Sequence, residues 1–339
     1  MLGLLESIAI VVRETAFRSN KDPLATENLD LMDADRGSIV IADDGVPLAV
    51  REVGPTDAEL TVVFVHGYCL RTSSWHFQRR ALEQHWGSTV RMVFYDQRGH
   101  GRSGVPSPES CTIGQLGLDL DAVVRSVVPK GRIVLVGHSM GGMSILSMAR
   151  QRSDMLRQRV IGAVLISTTA AGLAQSGVGR SLQNPAVDAF RLAVRTSPGV
   201  VQFGRGAVRA LISPVLRAAS YGTRVSPRLV AFSQSMIDDT SVVTIVNFLE
   251  TLELHDESEA LVEFENIPVS VVCGDEDWII PLASSEALAQ ALPRSETVRV
   301  RQGGHLVQLE FPEQVNGAIL RLVTRATEAA GKKRRWGVV

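Results

Sequence analysis

An α/β architecture, a mostly parallel twisted sheet with helices on both faces, is predicted for this chain by three observations. Short β-branched runs alternate with stretches of helical periodicity along most of its length. One such run, Ile133 to Val136, leads through Gly137-His138-Ser139-Met140-Gly141-Gly142 into the apolar helical pattern of 143–149. Glycine-bearing loops follow several of the other runs.

In chain order, Leu4, Leu5, Ile8, Val11 and Val12 fall at helical spacing, so residues 1–20 are expected to form an amphipathic helix. Glu6 and the lack of a basic start argue against a secretory signal. A polar connecting segment completes 1–36. Gly37 to Ala42 and Val46 to Val53 read as two strands joined at Asp43-Asp44-Gly45, a hairpin signal. Strands are further expected at Thr61 to Val65, Val90 to Tyr95, Val160 to Ile166, Ile267 to Cys273 and Glu296 to Val300. Helices are expected from Trp75 to His85 and over 112–128 and 312–328, the second with Leu116, Leu120, Val123, Val124 and Val127 on one face. The strand signal fades over 169–262, where helical spacing is punctuated by Pro185, Pro198, Pro214 and Pro227. The chain therefore divides into an N-terminal helix and connector (1–36), a first core part (37–168), an inserted helical lid (169–262), a second core part (263–329) and a basic tail (330–339).

Composition excludes several classes. At 339 residues the chain can bury a large core, and 45% hydrophobic with 21% charged residues is ordinary for a soluble globular protein. A formal net charge of −1 gives no drive towards nucleic acid, and no such partner is expected. Cys69, Cys111 and Cys273 have neither metal nor redox spacing, which points to a reducing compartment and a cytoplasmic location. The histidines and carboxylates lack metal-ligand spacing, and Gly99-His100-Gly101 lacks the third glycine of a dinucleotide site, so no metal or cofactor is expected. Weak membrane-surface contact through the N-terminal helix or the lid is a secondary expectation.

The Gly-x-Ser-x-Gly stretch around Ser139 carries the chemistry. A serine on a tight strand-to-helix turn adopts a strained backbone, and glycines on either side leave room where side chains would collide. The turn exposes the Ser139 hydroxyl and places the Met140 N–H at a helix N-terminus, where it faces developing negative charge. Such a hydroxyl needs a base, and the base needs an acid to fix its tautomer. His305, in a glycine-flanked loop near the chain end, is the candidate base; Asp275 and Asp277 compete as the acid.

With these residues named, the chain resembles the α/β-hydrolase superfamily, in particular its serine esterase and lipase-like members with a helical lid. The resemblance rests on His66-Gly67, Asp96 to Gly104, Gly137 to Gly142, Gly274 to Pro281 and Gly304-His305, which follow the family's order across 37–328. It implies the α/β-hydrolase fold and a triad in the order Ser139, Asp277, His305, with Asp277 chosen because the family's acid stands three residues after the loop glycine. It also implies a second oxyanion donor at the Tyr68 N–H, after His-Gly, and a scaffold role for Asp96, Arg98 and Ser103. The implied activity is hydrolysis of a small-molecule or lipid-like carboxylic ester. Serine at the elbow departs from the aspartate of epoxide hydrolases and dehalogenases and from the cysteine of dienelactone hydrolases. The runner-up is a carbon–carbon hydrolase of ring-cleavage products or a cofactor-free haloperoxidase; a non-catalytic binding protein of this fold stands third.

Overall fold

Two kinds of strand build the sheet. The computed structural model describes residues 22–175, 192, 196, 219–292 and 294–336, with 332–336 by backbone alone. The helix expected over 1–20 lies outside these residues, as does most of 176–218. β1 (Arg36–Ile41) and β2 (Pro47–Val53) form the expected hairpin. Six further strands follow: β3 (Leu60–Val65), β4 (Arg91–Tyr95), β5 (Arg132–His138), β6 (Val160–Ile166), β7 (Val269–Gly274) and β8 (Ser295–Val300). Their spatial order is β1-β2-β4-β3-β5-β6-β7-β8, antiparallel at β1/β2 and β2/β4 and parallel from there on.

The central strands read as unbroken apolar runs because both faces are covered. Alternation sends Val63, Val65, Leu135, Leu165 and Val271 to one face. There they meet Leu120 and Val123 of α2 (Ile113–Val127) and Ile145 and Leu146 of α3 (Met140–Gln151). Val62, Phe64, Val134, Val136, Val164 and Ile166 point the other way. Their partners are Leu82 and Trp86 of α1 (His76–Trp86) and Val315, Ile319 and Leu322 of the closing helix. Each such burial contributes about 1.5–3 kcal/mol, so these two layers dominate stability. β1 adds little: Val40 is buried, but Ile39 and Ile41 face solvent.

Three short helices escaped the sequence pattern: α4 (Ser153–Arg159), which buries only Leu156, α7 (Leu282–Gln290), which buries only Ser285 and Leu288, and α8 (Val307–Glu310). Between β6 and β7 lie α5 (Pro227–Asp239), capped by Ser226, and α6 (Val242–Glu253), capped by Ser241. Where this insertion leaves and rejoins the core, Ala171 bridges to Asp256, the Glu257 N–H donates to Ala170 O (2.7 Å) and the His255 Nε2–H donates to Thr169 O (3.0 Å). After β8 come α8 (Val307–Glu310) and α9 (Pro312–Trp336). α9 corrects one boundary: the basic run expected to be a separate solvated tail is the last turns of this helix. Lys and Arg are good helix formers, and their charge suits a helix C-terminus.

The order β4-β3-β5 puts a switch point in the middle of the sheet. The chain leaves β3 towards one side and β5 towards the other, opening a crevice at their C-terminal ends, the usual ligand position in such sheets.

The loop after β4 is stitched to its surroundings by one arginine. Arg98 is fully buried and grips Asp119 of α2 with Nε and Nη2, both at 2.6 Å, while Nη1 and Nη2 reach Asp44 of the hairpin at 2.7 and 3.0 Å. Asp96 accepts from the Thr72 N–H (2.7 Å) and the Arg102 N–H (2.9 Å), and Ser103 Oγ accepts from the Ala49 N–H (2.9 Å). These contacts brace the loop. Removing one partner of the buried pair strands the other charge, so Asp119→Ala should lower the unfolding free energy by about 3–5 kcal/mol in a urea titration. The paired change Arg98→Met with Asp119→Leu should recover most of that loss; a single mutant as stable as wild type would show the pair to be dispensable.

Candidate active site

Ser139 occupies the single residue between β5 and α3, at φ 52° and ψ −121°. An L-residue there carries strain of about 1–3 kcal/mol, tolerated only where the surroundings over-determine it. Here they do. The Ser139 N–H donates to Ile166 O (2.9 Å), and Ser139 O accepts from the Thr168 hydroxyl (2.8 Å) and the Gly142 N–H (2.9 Å). A Cβ on Gly141 would lie 2.1 Å from Val65 O, and one on Gly137 would lie 2.7 Å from the Gly141 carbonyl carbon. Both positions therefore exclude any side chain. The Ser139 side chain makes no capping bond to α3, which leaves its hydroxyl available for chemistry.

The loop after β7 carries Asp277, and the loop after β8 carries His305. Asp277 Oδ1 accepts from the N–H groups of Ile279 and Ile280, both at 2.9 Å, and Oδ2 lies 2.9 Å from His305 Nδ1. A carboxylate can only accept, so Nδ1 carries a proton, and the neutral tautomer this selects is the one with its lone pair on Nε2. Of the two aspartates, Asp277 is the one that contacts His305. Asp275 instead accepts from the Gln302 N–H (2.5 Å) and Arg299 Nε (3.2 Å), bracing the β8 exit.

Ser139 and His305 line one cavity of about 80 Å³, walled chiefly by Met143, Leu173, Leu252, Ile279 and Ile280. A larger hollow of about 640 Å³, between Pro108–Gly114 and α6, touches neither of them. Chemistry rather than size places the site at the smaller one. Tyr68 and Met140, the expected backbone donors for an oxyanion, stand just after the neighbouring strands β3 and β5, and Met140 is the first residue of α3, at the positive end of its dipole. The Tyr68 hydroxyl donates to Ile245 O on α6, and Tyr68 also lines the cavity. From α6, Phe248 and Leu252 pack with Met140 and Met143 over the start of α3.

The structure adds a set of buried histidines whose roles sequence reasoning missed. His138 donates from Nε2 to the His305 carbonyl (2.9 Å), its ring centroid 4.8 Å from that of His305, so it holds the backbone of the candidate base. His66 donates from Nδ1 to Gly67 O (2.8 Å) and accepts the Gln97 N–H at Nε2 (2.9 Å), tying the β3 and β4 exits together. His100 donates from Nδ1 to Arg98 O (2.9 Å). All three stand in the motifs His66-Gly67, Asp96 to Gly104 and Gly137 to Gly142, but nothing in those motifs indicated their contacts. Desolvation pushes His66 down to about 4 and His100 to about 3, and it holds His138 well below the ordinary histidine value.

Those shifts carry a sign. In the unfolded chain these histidines bind protons below about pH 6.5, whereas the folded chain keeps them neutral. Stability is therefore lost as pH falls from there towards 4, by up to ~1.4 kcal/mol per pH unit for each histidine. The urea midpoint should drop between pH 6.5 and 5, above the range of most carboxylates. A constant midpoint across that interval would contradict the neutral, buried assignment.

The sequence model of the family described as alpha/beta hydrolase matches residues 62–318. The chain is similar to the carbamate hydrolase RutD of Enterobacter cloacae, 26% identical over 78% of this chain and 92% of that protein. It is also similar to a non-heme chloroperoxidase of Streptomyces lividans, 27% identical over 84% of this chain and 98% of that one. Among solved structures, a thermophilic esterase from Thermogutta terrifontis shares the fold with a TM-score of 0.69 at 24% identity, covering 86% of this chain and 99% of its own.

Proposed function

The chain belongs to the alpha/beta hydrolase family, and from that premise we propose that it is a serine hydrolase of carboxylic esters acting through Ser139, His305 and Asp277. The observation that carries this reading is the 2.9 Å contact from Asp277 to His305 Nδ1, on a histidine that shares its cavity with a strained serine. Ser139 Oγ attacks the ester carbonyl as His305 Nε2 takes its proton; Asp277 stabilises the resulting imidazolium. The N–H groups of Met140 and Tyr68 receive the oxyanion. Collapse expels the alcohol, protonated by His305, and leaves an acyl-enzyme. Water, deprotonated by the same histidine, then releases the acid and frees Ser139.

The wall favours a neutral acyl group. Among the described residues no Lys, Arg, Asp or Glu lines the cavity, so the carboxylate of a ring-cleavage dienoate would find no cationic partner there. The inserted helices are read as a lid, supported by the packing of Phe248 and Leu252 over Met140 and Met143. Likeness to the chloroperoxidase keeps halogenation with peroxide as the second reading.

Ser139→Ala should lower hydrolysis of p-nitrophenyl acetate and butyrate by on the order of 10⁶-fold and abolish fluorophosphonate labelling, with the fold intact by circular dichroism. Retained turnover would remove Ser139 from the mechanism, and peroxide-dependent halogenation without esterase activity in the wild type would favour the second reading.

Asp277→Asn should cut kcat by about 10⁴-fold, since an amide cannot hold the productive tautomer. Asp275→Asn should act on melting temperature, because its bonds brace the loop. The opposite ranking would transfer the acid's role to Asp275.

A further inference from the structure

Glu310, the last residue of α8 and five positions beyond His305, was not singled out by any sequence pattern. Its half-buried carboxylate gathers four donors from two different segments. Oε1 accepts from the Thr223 N–H and the Thr223 hydroxyl, both at 2.6 Å. Oε2 accepts from the Gly304 N–H at 2.7 Å and the Gly222 N–H at 3.2 Å. Gly304 immediately precedes His305. Residues 220–223 lie within the insertion, ahead of α5, and Ser220 lines the cavity beside Ser139. The two segments are in intimate contact at this point. The Leu306 N–H donates to Ser220 O at 2.8 Å, a Cβ on Gly304 would lie 2.4 Å from Gly222 N, and a Cβ on Gly222 would lie 2.3 Å from Gln302 O.

We propose that Glu310 is a positioning residue that fastens the segment of the insertion ahead of α5 to the loop carrying His305, so that the base is correctly placed only while that segment is docked. The proposal rests on the reading of His305 as the base. Three of the four donors are fixed N–H groups, which require an acceptor on both sides of the carboxylate. A glutamine of nearly the same volume has one oxygen, so its NH₂ would oppose either the Thr223 N–H or the N–H groups of Gly222 and Gly304. Either way the tie between Thr223 and the residue before His305 is cut on one side. A displacement of about 1 Å at a reacting group costs on the order of 10²-fold in rate.

The test is Glu310→Gln in the full chain, with p-nitrophenyl acetate as substrate, Glu313→Gln on exposed α9 surface as the control, and Ser139→Ala alongside. Glu310→Gln should lower kcat by about 10–100-fold with KM within about twofold. Fluorophosphonate labelling should slow in parallel, and limited proteolysis within 219–226 should accelerate, while Glu313→Gln matches wild type. Should Glu310→Gln fold poorly, Thr223→Val removes one donor only and should give a smaller kcat loss with an unchanged circular dichroism spectrum. Wild-type kcat in both variants, or losses that merely track the folded fraction, would overturn the proposal. Activity surviving in Ser139→Ala would instead remove the serine mechanism and, with it, the premise on which the clamp rests.

Discussion

Everything at the crevice depends on one close approach, that of the first turn of α3 to the end of β3. At Gly141 the backbone passes so near Val65 O that no side chain fits, and this proximity forces the chain to reverse within the single residue Ser139. The strain at Ser139 is thus the local expression of a sheet-level constraint. Two parallel strands, each followed by a crossover, must place their ends side by side at the switch point. Relaxing the turn would require moving β3 or β5, and both are fixed by the two apolar layers that cover the sheet.

Around this point the fold handles buried polarity in two ways. Where a permanent charge is enclosed, as with Arg98, it is met by the carboxylates of Asp119 and Asp44, and the cost of desolvation is offset by several directed hydrogen bonds. Where the group can titrate, as with His66, His100 and His138, burial keeps it neutral and uses it as a connector between loops. The second solution suits the site itself, because a neutral His138 beside His305 adds no like charge to oppose an imidazolium.

Much of this was legible in the sequence, for physical reasons. Strands covered on both faces are apolar nearly throughout, so 62–65 and 133–136 announce themselves without alternation. The Gly-x-Ser-x-Gly turn is legible because sterics leave few alternatives to glycine at two of its positions. The short α4 and α7 were not, since a helix that buries one or two side chains leaves almost no periodic trace. The end of α9 was misplaced because a run of like charges reads as solvated end whether or not it is helical. Glu310 was invisible for a further reason: its partners Gly222, Thr223 and Gly304 are distant in sequence or bear only backbone donors, and backbone donors leave no residue-type signal.

The collar at the root of the insertion has a consequence for how this chain could diversify. Thr169, Ala170 and Ala171 are pinned to His255, Asp256 and Glu257 by main-chain contacts and one imidazole, so the segment between them departs and returns through nearly the same point. The sheet is indifferent to how many residues lie beyond that collar, because the entropy of closing a loop grows only slowly with its length. The insertion can therefore lengthen or shorten while Ser139, His305 and Asp277 stay where β5, β8 and β7 leave them. The interior is bound by contact distances throughout, whereas the insertion is bound at its collar and at the few points where it touches the loops, such as Glu310.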